Sequence, residues 1–521
     1  MCVDCGKKML NIYRQGKTFT DQFYVDEDYN VPDMKSDIRE IIQGDGVLEE
    51  VDLKPVENYI RITGRLNFQI LYVADNSDST LSSLEGKIPF EEMCYIEEAP
   101  EETLFLKSVQ TELSVNLIHS RKMNVKAMVE IVLSSDSQIS EEVTTELTTE
   151  DPVYTKYQEQ QLLTLHTVKK DTYRMKEQVT ISGTKESIGN ILWKEIINRR
   201  LDTRLEADTL KLQGELLVFC LYESAEGKTD WICENVPYEG QVECYGAGEE
   251  MYHQIYPILT DTLLEPGMDE DGEMRLLGVE ATLSMRFFVC AEEKVSVLDD
   301  LYSLKKCCVP VYTTCKMEHA LMQNHSKCKI VERLSLPEIK DDILQICYSD
   351  ARIQIEQMEV QTEGIQMEGI LHLRFMYVKP DDKVPFAVWQ GMIPFSWLLE
   401  SNEVQQNMNM DIVPALEQLG ISLLGNGEIE VKAVLTFRSF LRGNVTFRNV
   451  DTVEEKELDY KALEQDPGII GYIVKNGDDL WNLAKHYGTT KEGIMEVNHM
   501  ESEQLKCGDK LLIFKENVSI L

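Results

Sequence analysis

Thirteen cysteines and eight histidines give this 521-residue chain its most direct route to metal or redox chemistry. Cys2 and Cys5 form a C-x-x-C pair, but zinc needs two further ligands and redox work needs a thioredoxin-type setting. Cys315, His319, His325 and Cys328 could supply two cysteines and two histidines to zinc. Their spacings are unusual for such a site, so an ordinary connecting segment is expected there. Gly227-Lys228-Thr229 resembles the end of a phosphate-binding loop, yet the upstream glycine position is Tyr222. Gly246-Ala247-Gly248 lacks the third glycine of a dinucleotide fingerprint, because position 251 is Met. Neither HExxH nor GxSxG occurs, and no acid–base pair suited to hydrolysis stands out. The expectation is a non-enzymatic protein with no cofactor, no metal and no catalytic residue.

The elements that hold these residues come from an internal repeat. One strand occurs three times: YIRITGRLNFQILY, TLKLQGELLVFCLY and GIQMEGILHLRFMY. Each holds a glycine (Gly64, Gly214, Gly369) eight positions before a tyrosine (Tyr72, Tyr222, Tyr377). Ile60, Ile62, Leu66, Phe68, Ile70 and Tyr72 fall on one face, with Arg61, Thr63, Arg65, Asn67 and Gln69 on the other. Period two over this length predicts a half-buried strand, and a glycine on its apolar face predicts a bulge or a close backbone approach. Upstream stand KSDIREI, KESIGNI and KDDILQI, whose first isoleucines (Ile38, Ile188, Ile343) each precede the glycine by 26 residues. Downstream stand Ile88-Pro89-Phe90, Val236-Pro237-Tyr238 and Ile393-Pro394-Phe395, then apolar strands around Ala127, Ala281 and Ala433. Periods of 150 and 155 residues are domain-sized.

This predicts a mainly β chain of three tandem β-sandwich-like repeat domains over 1–165, 166–320 and 321–450. An acidic linker over 451–468 and a small α+β module over 469–516 follow. The matched positions are Gly, Pro, Tyr and aliphatics, which set turns and fill cores. No His, Ser or Asp recurs in register in a pattern that suggests catalysis. Lys35, Lys185 and Lys340 recur where a capping interaction is expected.

Charge narrows the partners. Ninety-one acids against 52 Lys plus Arg leave a formal charge of −39, which repels phosphate backbones and anionic lipid. Nucleic acid is not an expected partner, and basic surfaces are. No apolar run approaches the roughly 18 residues of a membrane-spanning helix. The N-terminal MCVDCGKKMLNIYRQGK has no apolar stretch after its basic residues, so no export signal is expected and the cysteines are expected to be free thiols.

Residues 470–515 read strand, turn at Asn476-Gly477, helix capped by Asp478 or Asp479, stop at Gly488, second helix capped by Thr489 or Thr490, final strand. This βααβ order, with Tyr472, Val474, Gly477, Asp478, Leu480, Trp481, Ala484, Tyr487, Gly488, Thr489, Ile494, Asn498, Leu505, Gly508, Asp509 and Leu511 to Ile513, strongly resembles the LysM domain. That resemblance implies a shallow groove for N-acetylglucosamine-containing glycans. Gly477, Asp478, Asp479 and Leu480 would stand on one side and Val497, Asn498, His499 and Met500 on the other. Asp479 replaces a common threonine, and Cys507 replaces a common proline. The module carries about −1 against −38 for the rest, which suits a docking head.

Tandem β repeats ahead of a C-terminal LysM resemble the SipL-like spore coat morphogenetic proteins. The resemblance implies a coat-assembly scaffold in the mother-cell cytosol at the forespore surface, with the LysM docking on a spore coat morphogenetic ATPase and the chain meeting other coat proteins. Trp481 and Leu480 then become candidate protein contacts, with Trp481 equally suited to a core. The alternative is a peptidoglycan-binding protein whose LysM keeps its glycan groove.

Overall fold

Residues 4–75, 80–96, 103–458 and 467–516 are described by the computed structural model. Cys2 therefore lies outside the described residues, as does most of the expected acidic linker.

Each repeat builds six strands into two three-stranded antiparallel sheets. In the first, β2 (Asp37–Val56), β3 (Tyr59–Asp75) and β4 (Leu81–Tyr95) form a meander, while β1 (Asp4–Asn30) and β5 (Thr103–His119) flank β6 (Lys122–Thr148). The second repeats this with the meander β8 (Ile188–Glu206), β9 (Thr209–Ser224) and β10 (Thr229–Glu243). Its other sheet sets β7 (Tyr154–Thr180) and β11 (Tyr252–Gly267) about β12 (Leu276–Tyr302). The third has β14 (Gln345–Gln361), β15 (Gly364–Val378) and β16 (Phe386–Glu400), with β13 (Cys307–Ser335) and β17 (Asn409–Gly425) about β18 (Glu428–Lys456). The two sheets of each repeat enclose one core. In the first, Ile60, Ile62, Leu66, Phe68, Ile70 and Tyr72 of β3 meet Met123, Val125, Ala127, Val129, Ile131 and Leu133 of β6. The expected face of the repeated strand is the buried one, and the chain is mainly β.

The sheets divide the chain earlier than expected. β7 starts at Tyr154 and β13 at Cys307, so the first two breaks lie near 150 and 305 rather than at 165 and 320. Each repeat opens on a strand with few aliphatics, such as QFYVDEDYN in β1, whose polar alternation hides it. The first stretch of the expected linker is also strand, since β18 continues to Lys456. Cys315, His319, His325 and Cys328 all lie on β13, and thirteen residues of strand span about 40 Å. The strand holds the four apart, and no group of metal-ligating side chains occurs among the described residues.

The glycine and the Pro-aromatic triplet of each repeat prove to be one feature. Gly64, Gly214 and Gly369 pair in register with Phe90, Tyr238 and Phe395. A Cβ at Gly214 would lie 2.4 Å from the Tyr238 hydroxyl, and one at Gly64 would lie 2.9 Å from the Phe90 ring. The aromatic ring covers the missing side chain. On the other flank the preceding strand bulges, between Glu49 and Asp52 and between Arg199 and Asp202. The expected bulge thus lies on the neighbouring strand, and the expected close backbone approach holds at Gly64 and Gly369, beside Glu49 O and Gln354 O, while at Gly214 the near neighbour is the Tyr238 ring.

The three repeats close into a ring. β4 lies against β8, β10 against β14, and β16 against β2, so the contacts return to the first repeat. The outer faces of the meanders share an apolar cluster that includes Leu71, Val73, Leu192, Trp193, Phe219, Tyr348 and Met376. β6, β12 and β18 meet near the axis, where Arg286 of the second repeat grips Asp136 of the first at 2.5 Å. Arg442 and Asp411 of the third pair at 2.9 Å, and Lys107 of the first reaches Asp411 at 3.1 Å.

Candidate functional site

The C-terminal module contains β19 (Ile469–Ile473), α1 (Leu480–Tyr487), α2 (Lys491–Val497) and β20 (Lys510–Phe514), the βααβ order expected. Its caps follow from side chains. Asp479 Oδ1 accepts from the Asn482 amide at 2.6 Å and opens α1; Gly488 ends it in the left-handed region at φ 66°. Thr490 Oγ1 accepts from the Gly493 amide at 2.9 Å and opens α2. Val474, Leu480, Leu483, Ala484, Ile494, Leu511 and Ile513 fill the core.

The two loops expected to form a groove are present, but most of their polar groups are consumed internally. Asp478 Oδ2 accepts from Tyr472 at 2.8 Å and from the Lys475 amide at 2.7 Å, and these bonds hold its carboxyl below the usual range. Asn498 is locked to β20, donating to Leu512 O at 2.8 Å and accepting from the Leu512 amide at 2.7 Å. Leu480 is buried in the core. Gly477, at φ 91°, faces open space, and His499 is exposed at φ 53°. Val497 and Met500 are half-buried, as is Asp479.

Trp481 belongs neither to a groove nor solely to the module's own core. Its indole donates to Asp300 Oδ2 at 2.8 Å and packs edge-on against Tyr302 at 5.0 Å between centroids. Both partners sit at the end of β12, in the second repeat. Lys485 Nζ lies 2.6 Å from Asp300 Oδ1, and the Tyr302 hydroxyl donates to Thr489 O at 3.0 Å. Tyr312 of the third repeat also donates to Asp300, at 2.7 Å. Burial opposes the charge of Asp300, but the bonds from Lys485, Trp481 and Tyr312 outweigh it and hold the carboxyl below the usual range. The face of α1 carrying Trp481 is thereby spent on docking the module to the ring.

Among the described residues, another face is exposed to solvent. In β19 and β20, Ile469 stands opposite Phe514, Gly471 opposite Leu512, and Ile473 opposite Lys510. Cross-strand partners share a face, and here Ile469, Ile473, Leu512 and Phe514 are all exposed, Ile473 at 60%. Of these four, the LysM resemblance covers only Leu512, as part of the final strand. The signal was the run Ile469-Ile470-Gly471-Tyr472-Ile473, which is apolar at both parities where a two-stranded sheet over a small core needs only one.

A family model for the LysM domain matches residues 472–514, and one for the SipL SPOCS domain matches residues 37–118 and 342–424. No curated protein and no solved structure matches the chain. Each SPOCS match runs from the meander through the fifth strand. The middle repeat, outside those matches, has the same strand order and the same glycine–aromatic pair. Both matched families are non-catalytic binding or structural domains, the LysM of the peptidoglycan-binding type and the SPOCS of sporulation and the spore coat. Among the described residues no helix is long and apolar enough to cross a membrane. The chain thus carries SipL SPOCS domains in two regions followed by a C-terminal LysM domain, the arrangement that the resemblance to SipL-like proteins implies.

Proposed function

We propose that this chain is a coat-assembly scaffold whose ring of repeats holds the LysM domain so that its exposed sheet face engages another protein. The reading rests on one observation above all: Ile469, Ile473, Leu512 and Phe514 form an apolar face turned to solvent. Water-exposed aliphatics and an aromatic on one small sheet suit a protein partner, whereas glycan recognition needs free polar groups. In the groove loops, Asp478 and Asn498 are already engaged within the domain. The near-neutral module avoids the repulsion that the −39 chain would impose on an acidic partner. The family resemblance makes a morphogenetic ATPase at the forespore surface the partner to test, in the mother-cell cytosol, with other coat proteins meeting the ring.

The second reading, a peptidoglycan-binding LysM, draws on the LysM match and on the open space over Gly477. Sedimentation of the full chain with insoluble peptidoglycan, run beside affinity capture from sporulating cells, separates the two. The scaffold reading predicts capture of the ATPase and weak sedimentation. Strong sedimentation without that partner would establish the glycan reading instead.

A further inference from the structure

Each meander sheet brings one acid to the same place in the ring. Asp45, Glu195 and Asp350 stand seven residues after Ile38, Ile188 and Ile343 respectively. They pair in register with Gln69, Phe219 and Arg374 on the central strands. An acid does recur in register, therefore, but as Asp, Glu and Asp it escapes a search for one conserved letter.

Arg374, from the third repeat, joins the other two. Its Nη2 lies 3.1 and 3.0 Å from the two carboxylate oxygens of Glu195 in the second repeat. The same group lies 3.5 Å from Asp45 Oδ2 in the first, with Nη1 at 3.4 Å from that atom. Arg352 stands 3.7 Å from Asp45, and Arg199 stands 3.5 Å from Asp350. Two residues before the acids, the equivalent positions are Gln43, Trp193 and Tyr348. Trp193 donates to Glu195 at 3.0 Å and Tyr348 donates to its other oxygen, while among the described residues both amide atoms of the buried Gln43 lack a partner. The acids and Arg374 line one wall of a cavity of about 1080 Å³ between the repeats. Burial pushes the Glu195 carboxyl up to about 7 against the pull of Arg374, and Asp45 and Asp350 add to the rise.

With Asp350 paired to Arg199, the Asp45 and Glu195 carboxylates, drawn together in low dielectric, repel each other unless a cation stands between them. The position opposite the acid is Gln in the first repeat, Phe in the second and Arg only in the third. One guanidinium placed there reaches the acids of two neighbours because its geometry is a planar fork. We infer that the meander end of the ring axis is a cation site between the Asp45 and Glu195 carboxylates whose permanent occupant is the chain's own Arg374, which ties the third repeat to the first two, while Arg199 holds the third acid, Asp350.

The test is chemical rescue in the full chain. Arg374→Ala should lower Tm by several degrees. Methylguanidinium chloride at tens of millimolar should restore part of that loss, relative to potassium chloride at equal ionic strength, and leave the wild type unchanged. Neutralising the two acids that Arg374 contacts (Asp45→Asn, Glu195→Gln) in the Arg374→Ala background should recover much of the Tm and abolish the methylguanidinium response. Arg374→Gln, which copies Gln69, serves if the alanine variant does not fold, with the same acid neutralisation expected to recover its Tm. A wild-type Tm in Arg374→Ala, or a loss that neither methylguanidinium nor neutralising the acids restores, would overturn the inference.

Discussion

Asp300 accepts hydrogen bonds from Trp481 and Lys485 of the LysM and from Tyr312 of the third repeat, although it belongs to the second. Hydrogen bonds to a charged acceptor contribute more than neutral ones, so this one side chain sets how the module is held. Asp300→Asn keeps the shape and removes the charge, and should weaken docking by about 2 kcal/mol. Hydrogen exchange of the α1 amides would report it as faster opening while the ring cores stay protected. The pH dependence has a definite sign. A folded carboxyl held below its unfolded value contributes stability above about pH 4 and loses it as pH falls through the folded value. Docking should therefore persist at pH 5 and release in stronger acid, and a release on raising the pH would contradict the assignment. None of this was legible in the sequence: Asp300 and Trp481 lie 181 residues apart, and nothing local marks Asp300. The caps were legible to within one residue, as Asp478 or Asp479 and Thr489 or Thr490, because a cap is decided within four residues; the structure has Asp479 and Thr490.

At the scale of strands, the glycines and the Pro-aromatic triplets were both visible as recurring landmarks, and the hairpin between them is what makes them one contact. Gly214→Ala would put a Cβ into the Tyr238 ring and should cost about 1–3 kcal/mol. Combining it with Tyr238→Leu should cost less than the sum of the single changes, a coupling that denaturant melts of the four chains in a double-mutant cycle would measure. Additive losses would mean that the ring moves aside freely. Strand lengths were less legible than strand existence. β6 turns from its own core, through Leu133, to the ring axis, where Asp136 meets Arg286, and Ser134 and Ser135 lie between. The change of burial face breaks the apolar alternation on which a sequence reading relies. The opening strands β7 and β13 were hidden differently, by their long polar stretches, and that displaced the first two domain breaks.

For the molecule as a whole, repetition announced three related bodies, and period alone does not say whether such bodies form a string or a ring. Closure depends on residues that differ among the copies: Arg374 against Gln69 and Phe219 at the meander end, and Asp136, Cys290 and Arg442 at matched positions nine residues after Ala127, Ala281 and Ala433 at the other. Difference between copies, which a search for repeats discards, is what specifies the assembly. The LysM adds its own core and touches the ring through a few residues around Asp300 and Tyr302. A chain ending at residue 458 should therefore keep the three repeat cores, with a change in their melting of no more than a few degrees, as calorimetry of the two chains would show.

The most direct measurement is the affinity of the full chain for the purified morphogenetic ATPase, compared between the unaltered protein, Ile473→Glu on the LysM sheet face and His499→Ala on the groove loops. A charge placed in the centre of an apolar contact should weaken binding at least tenfold, while His499→Ala should leave it within about twofold. Unchanged affinity in Ile473→Glu, with binding lost in His499→Ala, would return the function to the groove and contradict the account given for the sheet face.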